Sequence, residues 1–189
     1  MKGVIQIGSH YAQEYPEWKA MGIKDFIFFE PIRSNYDKLI EILPQSDSIK
    51  VFNLALGNQT GEISMYVETA NMGQSCSILK PKIHLLQWPT ITFDSTEVVK
   101  IDKLDNIEYD RSLYDYICLD VQGYELEVLK GAVESLKSIN ELFVEVNNVE
   151  LYENCAMFED IIGFLRKNGF KLMEVDWVGI TYGNAIFKR

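Results

Sequence analysis

Asp120 ends the apolar run Tyr116-Ile117-Cys118-Leu119, and Val121-Gln122-Gly123-Tyr124-Glu125 follows it before an amphipathic stretch. A carboxylate at a strand end, a glycine turn and a helix start is how an open α/β sheet presents a reactive group at its ligand crevice. Such an acid can take a proton from a hydroxyl or hold that hydroxyl in place. The alternative is a helix cap, with Asp120 satisfying free N–H groups at the helix start. Glu145 ends the next apolar strand and can converge with Asp120 across the crevice. Glu125 falls in the first helical turn, where the dipole stabilises an anion, so it either binds an acceptor or supports the helix. Histidine is a general base near neutral pH, so His10 is a further candidate base, or else a loop residue beside the ligand. Asp120, Glu145 and His10 together offer hard oxygen and imidazole ligands for a divalent cation, although nothing in their spacing requires one.

A second junction has a different job. Gly8 follows the first apolar run, and Glu30 ends the second 22 positions later, just before Pro31. Glycine lets a backbone approach a ligand, and an acid about 20 residues on accepts ribose hydroxyls in dinucleotide and related folds. The plain alternatives are a chain turn at Gly8 and a surface acid at Glu30. The loop Gln6-Ile7-Gly8-Ser9-His10-Tyr11-Ala12 keeps one glycine, and there is no P-loop. That argues against NAD, FAD and ATP, whose phosphates need glycine-rich cradles. S-adenosylmethionine has ribose and adenine without phosphate and suits the loop better. A third junction, Asn53-Leu54-Ala55-Leu56-Gly57, offers the small Ala55 beside a flat ring, or is a simple strand-to-turn transition.

The elements that must position these residues follow from periodicity. Strands are expected at 4–7, 26–29, 49–54, 62–67, 96–101, 114–119, 142–146, 171–175 and 181–187. Helices are expected within 11–21, where Pro16 interrupts or restarts the turn, at 35–43 and at 158–165 with Gly169 as C-cap. Another follows Asp120, with Leu126, Leu129, Ala132, Val133 and Leu136 as its apolar stripe. The polar stretch 70–89 is long for a compact domain and reads as a substrate-side lid or mobile loop. Its His84 reads as a surface residue, and Trp88 as either an acceptor-pocket wall or a loop anchor. Strand–helix alternation implies a largely parallel sheet with helices on both faces. The last two strands are joined too tightly for a crossover and must pair antiparallel.

With 189 residues, 47% hydrophobic and 24% charged, the chain is expected to be one globular domain over 1–189. Net charge −10 disfavours nucleic acid and anionic membrane surfaces as partners. Cys76, Cys118 and Cys155 are an odd, scattered set that fits neither a disulfide framework nor a zinc pattern, and Cys118 reads as core. There is no membrane-length apolar run and no signal-peptide h-region, so a cytoplasmic setting is expected.

In order, the pieces Ile7-Gly8-Ser9-His10, Phe29-Glu30-Pro31, Asn53 to Gly57, Gly73-Gln74-Ser75-Cys76-Ser77, Leu104-Asp105, Leu119 to Glu125 running on to Leu129-Lys130-Gly131-Ala132, Glu145 and Gly169-Phe170 resemble the FkbM family of methyltransferases. The resemblance covers nearly the whole chain, and its most specific block is Asp120 to Ala132. It implies a Rossmann-like class I fold, α/β, with a seven-stranded, mostly parallel sheet carrying one antiparallel strand. It implies S-adenosylmethionine as methyl donor and a hydroxyl as acceptor, on a small polar molecule, a sugar or a natural product. Under it, Ile7, Gly8, Ser9, Glu30, Pro31, Ala55 and Asp120 line the cofactor. Asp120, Glu145 and His10 are the catalytic candidates, and Gln122, Glu125 and Asn147 lie toward the acceptor. Three departures stand out: Gln6 where the family usually has Asp, Ala12 where it has a second glycine, and Cys118 where it has Lys. They keep open a second reading, a methyltransferase-like scaffold without turnover. A third reading, a nicotinamide oxidoreductase, is disfavoured by the missing glycines. Because the chain begins at its first strand, a helix covering the cofactor is expected to be absent or supplied by a partner. Oligomeric state is not legible.

Overall fold

The computed structural model describes residues 1–189. Its main sheet has seven strands: β1 (Gly3–Ile7), β2 (Asp25–Phe29), β3 (Ile49–Phe52), β7 (Tyr116–Leu119), β8 (Glu141–Asn147), β9 (Lys171–Val178) and β10 (Tyr182–Lys188). They lie in the order β3-β2-β1-β7-β8-β10-β9. All neighbours run parallel except β10, which is antiparallel to β8 and β9. The short Gly179 turn (φ +66°) between the last two strands allows no other arrangement.

Parallel strands are covered on both sides, so β1, β2 and β7 are apolar almost throughout. Strand period then sorts their side chains. Ile5, Ile7, Ile27, Phe29, Ile117 and Leu119 face the core that also takes Val128, Leu129, Ile161 and Leu165, from α4 (Glu125–Lys130) and α5 (Phe158–Lys167). Val4, Phe26, Phe28, Tyr116 and Cys118 face the opposite core, with Tyr15 and Trp18 of α1 (Tyr15–Ala20) and Leu39 of α2 (Arg33–Ile42). Helix α1 starts late, at Tyr15, with Pro16 in its first turn where a missing N–H costs nothing. Helix α5 ends in a Schellman motif. Phe170 N–H donates to Leu165 O (3.0 Å) and Gly169 N–H to Arg166 O (3.1 Å), with Gly169 at φ +87°.

The strands near 62–67 and 96–101 lie outside the seven-stranded sheet. With β4 (Ala55–Leu56), they form a separate three-stranded sheet, β5 (Gly61–Val67) and β6 (Ser95–Asp102), in the order β4-β6-β5. It packs Met65, Val99 and Ile101 on Ile32, Ala55 and Cys76. One expectation about the fold is corrected. The helix after Asp120 is shorter than its stripe implied: α4 stops at Lys130 and Val133 is exposed. The break falls at a close approach of two chain segments. A Cβ on Gly131 would lie 1.9 Å from the carbonyl oxygen of Gly57, so the chain passes Gly57 backbone to backbone. Asp105 then caps the following turn, accepting from the N–H groups of Glu134 (2.9 Å) and Ser135 (2.7 Å). No helix is long and apolar enough to cross a membrane.

Candidate active site

A cavity of about 580 Å³ opens at the carboxyl ends of β1, β2, β7 and β8, where an open α/β sheet binds ligands. The stretch 70–89 forms its wall, contributing Asn71, Gly73, Gln74, Ser75, Cys76 and Trp88. That stretch is ordered by its own contacts. Glu68 accepts from the N–H groups of Asn71 (2.6 Å) and Ser75 (3.2 Å), and one helical turn, α3 (His84–Gln87), follows.

On the β1–β2 side, Gly8 sits at φ +79°, and a Cβ there would lie 1.8 Å from the Asp120 carbonyl oxygen. Gly8 is therefore glycine so that two strand ends can close on each other, not only to admit a ligand. Ser9 is corrected as a ligand contact. It is fully buried and away from the cavity, its hydroxyl donating to Gln6 O (3.0 Å) and accepting from Phe29 N–H (3.1 Å). Glu30 lines the cavity at 4% exposure. Its carboxylate accepts from the N–H groups of His10 (2.8 Å) and Ile32 (2.9 Å). Burial pushes Glu30 up to about 7, against the opposing pull of those two N–H groups. Asn53 steadies the turn by donating to the carbonyls of Glu30 (3.0 Å) and Pro31 (2.7 Å). Ile7, Pro31 and Ala55 line the cavity, Ala55 between Leu54 and Leu56.

His10 is corrected as a base. Its Nε2–H donates to Met72 O (2.9 Å) and its Nδ1 accepts from the Gln13 amide (2.8 Å), the one pairing that satisfies a neutral ring. With both nitrogens committed, His10 ties the Gly8 loop to the cavity wall and has no lone pair for a substrate proton.

On the β7–β8 side the side chains bond to one another. Gln122 Nε2 donates to Asp120 Oδ1 (2.7 Å) and to Glu145 Oε2 (2.8 Å). Gln122 is held at φ +57° by Ser77, whose hydroxyl donates to its carbonyl (2.7 Å), and by Tyr152, whose hydroxyl donates to its Oε1 (2.7 Å). Asp120 is exposed to the cavity, and its side chain makes no helix cap. Glu145 is buried, and burial followed by the charge of Asp120 pushes it well above the ordinary carboxylate range. Glu125 is corrected as an acceptor contact. At 1% exposure it lies outside the cavity and accepts from the N–H groups of Val121 and Gly123, both at 3.0 Å. Burial raises it to about 7. Asn147 is buried away from the cavity too, so its acceptor role is also corrected.

Asp120, Glu125 and Glu145 bring oxygens within 4.8 Å of one another, and His10 is not among them, so the expected cation trio does not assemble. The Gln122 N–H already bridges Asp120 and Glu145, and Glu125 is spent on backbone N–H groups. Four acidic side chains line the cavity (Glu14, Glu30, Asp120 and Glu145) and no Lys or Arg does.

The sequence model of the FkbM methyltransferase domain matches residues 6–172. The chain belongs to the FkbM methyltransferase family. Among curated relatives, the 2-O-methyltransferase NoeI of Sinorhizobium fredii is 26% identical over 170 residues, covering 86% of this chain and 70% of NoeI. The FkbM methyltransferase structure from Methylobacillus flagellatus KT superposes with a TM-score of 0.67 at 13% identity, over 99% of this chain and 43% of that one. This chain therefore spans less than half the length of that neighbour. The Streptococcus pneumoniae protein Sp1610, solved in complex with S-adenosyl-L-methionine, superposes at TM-score 0.55 and 14% identity, over 98% of this chain and 64% of that one.

Two of the three departures from the FkbM pattern now have a geometry. Ala12 takes φ +49°, a left-handed conformation that glycine adopts without strain. Gln6 donates to Glu14 Oε2 (2.7 Å) while its Oε1, sealed in the cavity wall, has no partner. Sequence reasoning missed Tyr152, Asn53 as a clamp, and His84, which is buried in the cavity wall rather than exposed.

Proposed function

We propose that residues 1–189 act as one domain that moves a methyl group from S-adenosylmethionine to a hydroxyl of a small polar acceptor, with carbohydrates among the candidates. The observation that carries this reading is the acidic lining of the cavity: Glu14, Glu30 and Asp120 with no Lys or Arg, Glu145 being kept neutral by burial. A diphosphate cofactor would be repelled there. S-adenosylmethionine, with a sulfonium, an ammonium and one carboxylate, carries net positive charge and is attracted. Glu30 would hold the ribose hydroxyls, Ala55 with its neighbours the adenine, and Gly8 and Gln6 the methionine portion. When bound, the cofactor supplies an electrophilic methyl on a positively charged sulfur.

The chain's own residues then have two tasks. Asp120 takes the proton of the acceptor hydroxyl and, being exposed, passes it to water. Glu145, held protonated by burial and by its neighbour, leaves the negative charge on Asp120, and Gln122 fixes both carboxyl groups. NoeI, named a 2-O-methyltransferase, supports oxygen as the methylated atom.

The test is transfer of a ¹³C-methyl group from labelled S-adenosylmethionine to a panel of hydroxylated acceptors. Asp120→Asn should lower turnover by about 10²–10⁴-fold while the folded protein still binds S-adenosylhomocysteine. Equal turnover in this variant would remove Asp120 as the base.

A further inference from the structure

Part of the cavity is not used by this account. Beyond Glu145, its wall is aromatic. Tyr182 pairs with Asn147, two residues past Glu145, and Trp88 meets Tyr182 edge-on at 5.8 Å between ring centroids. The His84 ring lies 4.7 Å from Trp88 and 5.4 Å from Tyr152, the residue that holds Gln122. His84 is 2% exposed and lines the cavity, yet neither ring nitrogen is hydrogen-bonded. Nδ1 is sealed without a partner, whereas Nε2 is not sealed. A sealed lone pair is tolerated better than a sealed N–H, so the proton belongs on Nε2, which leaves a donor for a ligand. Burial lowers the ring's pKa and keeps it neutral. A buried polar group without a partner in a native fold calls for an explanation, and a missing ligand is one.

We propose that His84, Trp88 and Tyr182 form the acceptor subsite, with His84 donating to an acceptor hydroxyl, and that the subsite takes an uncharged or amine-bearing ring and rejects acceptors carrying phosphate or carboxylate. The aromatic faces pack the ring's C–H surface. Selectivity against anions follows from absence and repulsion together: no Lys or Arg lines the cavity, while the Asp120 carboxylate stands at its floor beside the neutral Glu145. The proposal rests on the methyl-transfer reading for the identity of the remaining half of the cavity.

The experiment is titration of the S-adenosylhomocysteine-loaded protein with methyl β-D-glucopyranoside, glucosamine and glucose 6-phosphate, followed by ligand-observed NMR. The glucoside and glucosamine should bind, and glucose 6-phosphate should bind at least tenfold more weakly. His84→Leu should weaken the glucoside about tenfold, the scale of one hydrogen bond, with S-adenosylhomocysteine affinity unchanged. His84→Gln, which restores an N–H donor, should recover most of that loss and keeps the test decisive where the leucine variant folds poorly. Equal binding of glucose 6-phosphate, an unchanged affinity in both His84 variants, or no binding of either uncharged or amine-bearing ring overturns the subsite. Failure of the wild type to bind S-adenosylhomocysteine counts against the methyl-transfer reading instead, so the two failures are distinguishable.

Discussion

The two sides of the cavity are built on opposite plans. On the β1–β2 side, most side-chain bonds go to the backbone: Glu30 collects two N–H groups, Ser9 ties Gln6 to Phe29, and His10 reaches a carbonyl. On the β7–β8 side, side chains serve one another, with a single Gln122 nitrogen shared by two carboxyl groups and its oxygen held by Tyr152. The first plan fixes a loop shape, which suits a ligand of constant form such as a cofactor. The second fixes a proton distribution, which suits a reaction. Glu125 belongs to the second region by position and to the first by behaviour, since it caps the 121–123 turn.

Breaking the backbone plan should cost the most. In Gly8→Ala the new Cβ would lie 1.8 Å from the Asp120 carbonyl at a left-handed φ, so backbone must move on both sides of the cavity. A loss of about 2–5 kcal/mol in denaturant unfolding is expected. A loss below about 0.5 kcal/mol would mean that the two strand ends do not close as described.

A comparable effect comes from protons, and it involves both sides. Glu30 and Glu125 are raised by burial from 4.5 to about 7 in the folded chain. The folded state therefore holds protons that the unfolded state has lost. The stability they contribute is fully present below pH 4.5 and is lost as pH rises through 7, by roughly 3 kcal/mol for each carboxyl. Over this window the two carboxyls together lose roughly 4 kcal/mol, so the ligand-free protein should melt on the order of 10 °C lower at pH 8 than at pH 5.5, at roughly 2–4 °C per kcal/mol. A melting temperature that rises over this window would contradict the assigned burial.

The smallest effect sharpens the comparison at the Gly8 loop. Ala12→Gly relieves a left-handed alanine, about 1–2 kcal/mol, but gives up a buried methyl worth about 0.8 kcal/mol and loosens the unfolded chain. Stability should change by less than about 1 kcal/mol. A large destabilisation would show that the methyl group, and not the turn, decides this position.

This division also explains what could be read from sequence. Strand ends were legible, because apolar runs stop where the sheet stops, so Gly8, Glu30 and Asp120 could be named, whereas Glu145, read as a strand end, lies inside β8 two residues before its last. Gly169 was legible because a helix end is local. Partners from distant segments were not. Ser9 looked like part of a ligand loop, but its bonds are to strand backbone. His84 looked like a loop residue, yet Trp88, Phe93 and Tyr152 enclose it. Gln122 and Tyr152 stand 30 positions apart, and no periodicity joins them. Likewise the apolar stripe running past Gly131 gave no warning that the helix would stop where the chain passes the Gly57 backbone.

The central claim is that the β1–β2 side holds the cofactor through Glu30. Calorimetric titration with S-adenosylhomocysteine at pH 8, of wild type and Glu30→Ala side by side, tests it most directly. The account predicts saturable binding by the wild type and a loss of at least tenfold in the variant, which should remain folded. Equal affinity in the two proteins would contradict it.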